Sequence, residues 1–232
     1  MDGSIVRLGD EKLYKKCAIQ VRVHDLNGCA ALLNVFQKHG HNEIDIVRIY
    51  GGGSTEGCLS QLKCQERGLV MVTKIIPLQR GPFSYSRKKD DVKAGLILRL
   101  KALQTDQVDL WSLHLPDCKT PYEETVEAVN ELYQAGYFKR FRISCYMAWE
   151  LAQICELCER NRWKKPDVYS GLYNPIQRAV KPKLFPCLRH CGIAFYMFRP
   201  LGKGLLTDNA QRGVTTHSQA DPKTKVDLKV TG

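Results

Sequence analysis

Long hydrophobic runs are missing from this sequence. The most apolar stretch, Gly192-Ile193-Ala194-Phe195-Tyr196-Met197-Phe198, falls far short of the roughly 20 residues that a bilayer-spanning helix needs, so no membrane partner is expected. No apolar segment follows Met1-Asp2-Gly3 either, and without one no secretory signal is expected. The cytoplasm is therefore the expected compartment, with the ten cysteines mostly as reduced thiols rather than a disulfide framework. Also absent is a stripe of one charge. Lys and Arg number 35 against 24 Asp and Glu, a net charge of +11, yet the cations are scattered and accompany no nucleic-acid-binding motif. No nucleic-acid partner is expected, and the excess suits a mild attraction for anionic ligands such as a phosphorylated cofactor. Wholesale disorder is excluded, because 44% of the 232 residues are hydrophobic.

What is present is an alternation. Helical spacing of apolar residues is expected to give helices over 29–39, 59–66 (weakly), 89–103, 122–135, 149–162 and 183–190. Gly40, Gly68, Gly136 and Gly192 follow four of these stretches as stops. Short apolar runs at 43–47, 69–74, 108–114, 138–144, 168–173 and 193–198 read as strands. Strands alternating with helices indicate a parallel sheet, either a doubly wound open sheet or a (β/α)8 TIM-type barrel. Spacing does not separate the two. Lys74, His114, Ser144 and Asn174 lie at or just past strand C-terminal ends, the face that carries active sites in α/β barrels, and this favours the barrel. Segment 16–23 could add a strand. Residues 1–24 otherwise stand outside the pattern, 25–207 carry it, and 208–232 are expected to be a mobile tail.

Four polar residues call for an explanation. Asp45 lies inside an apolar run, Tyr50 comes five residues later, and Lys74 and His114 each end an apolar strand. Singly, each has an ordinary reading as a solvated strand end or a structural histidine. Together they form a proton-delivery set. A Tyr hydroxyl, with a reference pKa of about 10, needs a neighbouring ammonium to release its proton near neutrality. An Asp would keep that Lys charged and oriented, and a neutral His could hydrogen-bond a carbonyl oxygen as it gains charge.

Several motifs then resemble one family. His41-Asn42-Glu43-Ile44-Asp45 with Tyr50-Gly51, Val72-Thr73-Lys74, and 109–117 (DLWSLHLPD) resemble the aldo-keto reductases. Glu131-Leu132-Tyr133 with Gly136-Tyr137-Phe138-Lys139, Ser144-Cys145-Tyr146-Met147-Ala148-Trp149-Glu150 and 184–189 (LFPCLR) are similar to the aflatoxin aldehyde reductase branch, its fungal members in particular. The resemblance implies a (β/α)8 barrel that binds NADPH and reduces a small-molecule aldehyde or ketone, with a role in fungal secondary metabolism. It makes Tyr50 the general acid, tuned by Lys74 and Asp45, and has His114 position the substrate carbonyl. Ser144, Cys145 and Ser170 would hold the nicotinamide carboxamide, and Phe198 would flank its ring. Arg199, Pro200, Leu201, Gly202, Lys203, Gly204, Leu205, Leu206 and Thr207 would form the loop around the pyrophosphate.

Departures from the family pattern cluster at the cofactor. Ile46 stands where the family has Thr, Cys145 where it has Asn, and Ser170 where it has Gln; Arg199 and Lys203 replace small residues in the loop. The family also continues beyond the position of Thr207, so the barrel is expected to lack its last strand and C-terminal helices. A second reading is accordingly open: a truncated family member, weak or inactive in catalysis, acting as a non-catalytic or partner-dependent subunit. The oligomeric state is open too, a homodimer included. Three weaker signals read as ordinary. Gly51-Gly52-Gly53-Ser54 lacks the Lys of a P-loop. Cys155-x-x-Cys158 has no second ligand pair in the sequence around it. Arg87-Lys88-Lys89 reads as a solvated loop.

Overall fold

The computed structural model describes residues 23, 25–47, 54–77 and 85–206. Tyr50, the Gly51-Gly52-Gly53 run, Thr207, the tail and all but Val23 of the expected 16–23 strand lie outside them. The elements run α1 (Leu26–Lys38), β1 (Glu43–Asp45), α2 (Thr55–Gln61), β2 (Val70–Ile75), α3 (Lys89–Leu103), β3 (Val108–His114), α4 (Tyr122–Gln134), β4 (Phe138–Ser144), α5 (Ala148–Asn161), β5 (Val168–Leu172), α6 (Leu184–Cys191) and β6 (Ala194–Phe198). A short 3-10 turn at Gly202–Gly204 comes last. Among the described residues, no helix is long and apolar enough to cross a membrane.

Local chemistry accounts for the elements. In α4, Thr125, Val126, Ala128, Val129 and Leu132 are buried, the i, i+3, i+4, i+7 stripe of a helix lying on a sheet. Glu123 and Glu124 occupy its first turn, where a negative charge meets the positive end of the helix dipole. Asp25 caps α1 by accepting from the Gly28 amide at 2.7 Å. Helix α2 starts earlier than its weak pattern predicts and ends at Gln61, before a left-handed Lys63. Its first residues, Thr55 and Glu56, are buried, and the Thr73 hydroxyl donates to a Glu56 carboxylate oxygen at 2.7 Å. A hydrophobic pattern cannot report a helix end buried through a polar pair.

Every strand pairs in parallel with the next one in sequence, in the order β1-β2-β3-β4-β5-β6. A doubly wound sheet reverses its strand order at a switch point, whereas this order winds one way, as in a (β/α)8 barrel. The described sheet is therefore six successive strands of that fold, the first five each followed by a helix. Trp111, Leu113, Phe141, Ile143 and Tyr169 face the helices and build the main core with Leu96, Leu100, Val129, Leu132, Leu151, Ile154 and Leu188. A smaller cluster of Val72, Leu110 and Val168, with Tyr196 against it, lines the opposite, inner face.

One loop differs from expectation. Arg87 is 2% exposed rather than solvated. It donates through Nη2 to the carbonyls of His114 at 2.7 Å and Leu115 at 2.6 Å, and through Nε to Leu115 at 3.1 Å. Parallel strands leave a row of carbonyls at their C-terminal ends, and a guanidinium is shaped to satisfy several at once. Lys88 remains exposed.

Candidate active site

Parallel register sorts the inner face into rows, because partners across a ladder share a face and alternate residues of a strand return to it. One row carries Asp45, Val72, Leu110 and Arg140. The next, toward the C-terminal ends, carries Lys74, Ser112, Arg142, Val168 and Ala194. Beyond it lie His114, Ser144, Ser170 and Tyr196, and then Leu172 beside Phe198. Residues scattered from 45 to 198 thus meet at one end of one face. Tyr50 lies outside the described residues.

At the centre is an ion pair. Lys74 Nζ lies 2.8 Å from Asp45 Oδ2, and Arg142 Nη2 lies 2.6 Å from Asp45 Oδ1. The Lys74 and Arg142 side chains are 6% and 3% exposed, whereas Asp45 is 48% exposed. Arg142 Nε also donates to the Ser112 hydroxyl at 3.1 Å. Burial alone would raise the Asp45 carboxyl, but the two cations outweigh it and hold the group below its ordinary value. Burial lowers Lys74, Asp45 opposes that shift, and Arg142 adds to it. His114 is pushed down to about 4, first by burial, then by Lys74, Arg142 and Arg87, with Asp45 opposing. Its Nδ1 is buried without a hydrogen-bond partner among the described residues. A neutral imidazole in that state can present an N–H to an oxygen, which the set requires of it.

Arg142 is missing from the sequence-based set. The available signal was the pair Arg140 and Arg142 at i and i+2 of a strand otherwise mostly buried, which puts both guanidiniums on the inner face. Arg140 Nη2 reaches Glu43 Oε2 at 2.9 Å and its Nη1 reaches the Tyr196 hydroxyl at 3.2 Å.

The remaining expected residues line the C-terminal rim. Ser144 ends β4 and is buried, and its Oγ lies 3.5 Å from Cys145 Sγ. Cys145 comes next, in the left-handed region at φ 64°, a conformation that costs a side-chain-bearing residue about 1–2 kcal/mol. Strain of this kind gathers where a backbone is held for a purpose. Leu115 after β3 and Arg199 after β6 share the conformation at φ 69° and 56°. Ser170 lies in β5 beside Ser144 in register, and Phe198 ends β6 with the Arg199 guanidinium 5.9 Å from its ring centre. Asn174 ties the rim together, its side-chain amide donating to the Arg199 carbonyl at 3.1 Å. In the loop after β6, Pro200, Leu201, Leu205 and Leu206 are exposed. The amides of Gly202, Gly204, Leu205 and Leu206 donate to carbonyls within the loop, which leaves the Arg199 side chain as a described donor for an anion there.

The Cys155-x-x-Cys158 pair is buried on α5, and burial raises both thiols, Cys158 to about 12. No cluster of three metal-binding side chains occurs among the described residues.

Comparison with known proteins gives this geometry a family. The profile described as the aldo/keto reductase family matches residues 24–230. An aldo-keto reductase of Pseudocercospora fijiensis is 58% identical over 181 residues, covering 78% of this chain and 61% of that protein. The aldo-keto reductase pigE of Monascus ruber is 45% identical over 204 residues, covering 84% and 60%. The human aflatoxin B1 aldehyde reductase member 2 is 43% identical over 183 residues, covering 79% and 51%. The chain spans about three fifths of the two fungal relatives and half of the human one. With a one-way βα winding, a Lys–Asp pair and a histidine on the inner face, and a profile match over most of its length, the chain belongs to the aldo/keto reductase family.

Proposed function

We propose that this chain serves the NADPH-dependent reduction of an aldehyde or ketone to an alcohol. The observation that carries the reading is the Lys74–Asp45 ion pair at 2.8 Å next to a half-buried histidine held neutral. Tyr50 donates its phenolic proton to the carbonyl oxygen of the substrate. Lys74 favours the phenolate left behind, Asp45 keeps Lys74 charged and aimed, and His114 donates a hydrogen bond from its neutral ring to the same oxygen. When bound, NADPH supplies the hydride. The Ser144 and Ser170 hydroxyls suit its carboxamide, with Cys145 between them in chain order as a weak partner. Phe198 offers a ring face to the nicotinamide. Arg199 and Lys203, with Pro200, Leu201, Gly202, Gly204, Leu205, Leu206 and Thr207, make up the pyrophosphate loop. The cytoplasm and a place in fungal secondary metabolism complete the proposal; both rest on the sequence reading, to which the comparisons add only that two relatives come from fungi.

Titrating NADPH against the chain and following the cofactor fluorescence tests the first half. Saturable quenching is expected, and its absence at high micromolar cofactor ends the enzyme reading in favour of a non-catalytic family member. The second half is tested by Tyr50→Phe, which should cut reduction of a test aldehyde by about 10²-fold or more with little change in NADPH affinity. Retained activity would move the proton donor elsewhere.

A further inference from the structure

We propose that Arg142 is a positioning residue of this site: its buried guanidinium holds one oxygen of Asp45 while Lys74 holds the other, so that two cations beside His114 share one carboxylate. The proposal rests on the roles proposed for Asp45, Lys74 and His114.

The sequence builds this device in two rungs. Strand β1 carries carboxylates at Glu43 and Asp45, and β4 carries guanidiniums at Arg140 and Arg142, each pair at i and i+2 and so on one face. Arg140 meets Glu43 at 2.9 Å and Arg142 meets Asp45 at 2.6 Å, spanning the inner face from one strand to a strand three places away. The rungs differ in surroundings. Both carboxylates are partly exposed, Glu43 at 29% and Asp45 at 48%, and the difference lies in the guanidiniums: Arg140 is 37% exposed, so water screens it and its rung does little beyond bracing the sheet. Arg142 is buried, and the Ser112 hydroxyl fixes its Nε from the strand between. Its second contact is a carboxylate already committed to Lys74.

Arg142 thus adds a second cation to the carboxylate that Lys74 already holds. Its side chain is 3% exposed, so its charge acts over several ångströms. The charged groups that face His114 among the described residues are Lys74 of β2, Arg142 of β4, Arg87 ahead of α3 and Asp45 of β1, while Cys145 faces Lys74. Arg142 is thereby the group that turns a neutral Lys–Asp pair into a cationic cluster. With burial as the larger cause, the cluster helps keep the imidazole unprotonated, and it holds Asp45 where Lys74 can use it.

The test reads His114 directly and needs neither cofactor nor turnover. The full chain is labelled in its histidine rings, the His114 signal is assigned with His114→Gln, and its NMR titration is followed in four proteins. In the wild type the ring should stay neutral down to about pH 5. Arg142→Gln should raise its midpoint by about one pH unit. Arg142→Lys, which keeps the charge, should stay near the wild type. Arg140→Gln removes the sister rung from the same strand and should leave His114 unmoved while lowering stability. Should Arg142→Gln not fold, Arg142→Met takes its place, since Asp45 keeps Lys74 as its partner and is 48% exposed, so that no carboxylate is left buried and unpaired. An unchanged midpoint on neutralising Arg142, or an equal change in Arg140→Gln, overturns the proposal. Failure to bind NADPH would instead overturn the enzymatic reading and leave this result standing.

Discussion

A histidine that refuses a proton makes the fold sensitive to acid. His114 titrates near an ordinary 6.5 in the unfolded chain and at about 4 in the folded one. Between those values the unfolded chain binds the proton that the native state excludes, so stability rises with pH across the window and falls as pH drops through it. At pH 5 the loss relative to neutrality is about 2 kcal/mol. The contribution of Asp45 has the opposite origin and a lower window, present above its unfolded value of 3.8 and lost as pH falls through its lowered folded value. Urea unfolding at pH 7 and pH 5 separates the two. The wild type should lose about 2 kcal/mol more than His114→Gln between those pH values, and equal losses would mean that the imidazole is not held neutral. At this scale the sequence was partly legible. Asp45, Lys74 and His114 stood out as polar residues in apolar runs. Arg142 and Arg87 did not, because residue type predicts solvent for an arginine. What draws both inside is a set of oxygens contributed by other strands: Asp45 and Ser112 for the first, the carbonyls at the ends of β2 and β3 for the second.

At the scale of elements, the backbone of the capping residue marks where a helix ends. Helix α6 stops at Gly192, φ 67°, with open space where a Cβ would stand. Helices α3 and α5 stop in the same left-handed conformation at Gln104 and Arg162, φ 53° and 56°, with both side chains exposed. Glycine reaches this region freely and other residues do not. Gly192→Ala should therefore lower stability by about 1 kcal/mol. Gln104→Gly should raise it by a few tenths of a kcal/mol, part of the gain being offset by a freer unfolded chain. Thermal or urea unfolding measures both; a stabilising Gly192→Ala would show that the helix ends otherwise in solution. The same reasoning explains where periodicity sufficed and where it did not. Helices α3, α4 and α5 were legible to within a residue because each lays an apolar stripe on the sheet. Helix α2 was misplaced because its buried end is made of Thr55 and Glu56, held by Thr73, an arrangement that only the folded neighbour reveals.

For the whole molecule, one-way winding decides both where the chemistry sits and how firmly each part is held. The choice between barrel-type and doubly wound sheets was not legible from spacing, since both alternate strand and helix; the polar residues at strand ends favoured the barrel, and the order of pairing decides it. That order places β3 and β4 in the middle of the described sheet, with β1 and β6 at its margins. Strand β3 is almost wholly buried, with Leu110, Trp111, Ser112 and Leu113 at most 1% exposed. Strand β6 is half-exposed along its length, Met197 being 55% exposed, and it pairs on one side only among the described residues. Opening free energy follows burial and pairing. Amide hydrogen exchange of the full chain should accordingly be slowest in β3 and β4, which carry His114, Arg142 and Ser144, and faster in β6 by about 100-fold, equivalent to roughly 3 kcal/mol of opening free energy. The end of the site proposed for catalysis would then rest on the most stable strands, and Phe198 and Arg199 on a strand able to adjust as a ligand arrives. Equal protection of β6 and β3 would contradict this gradient and would mean that the outer side of β6 is covered in solution.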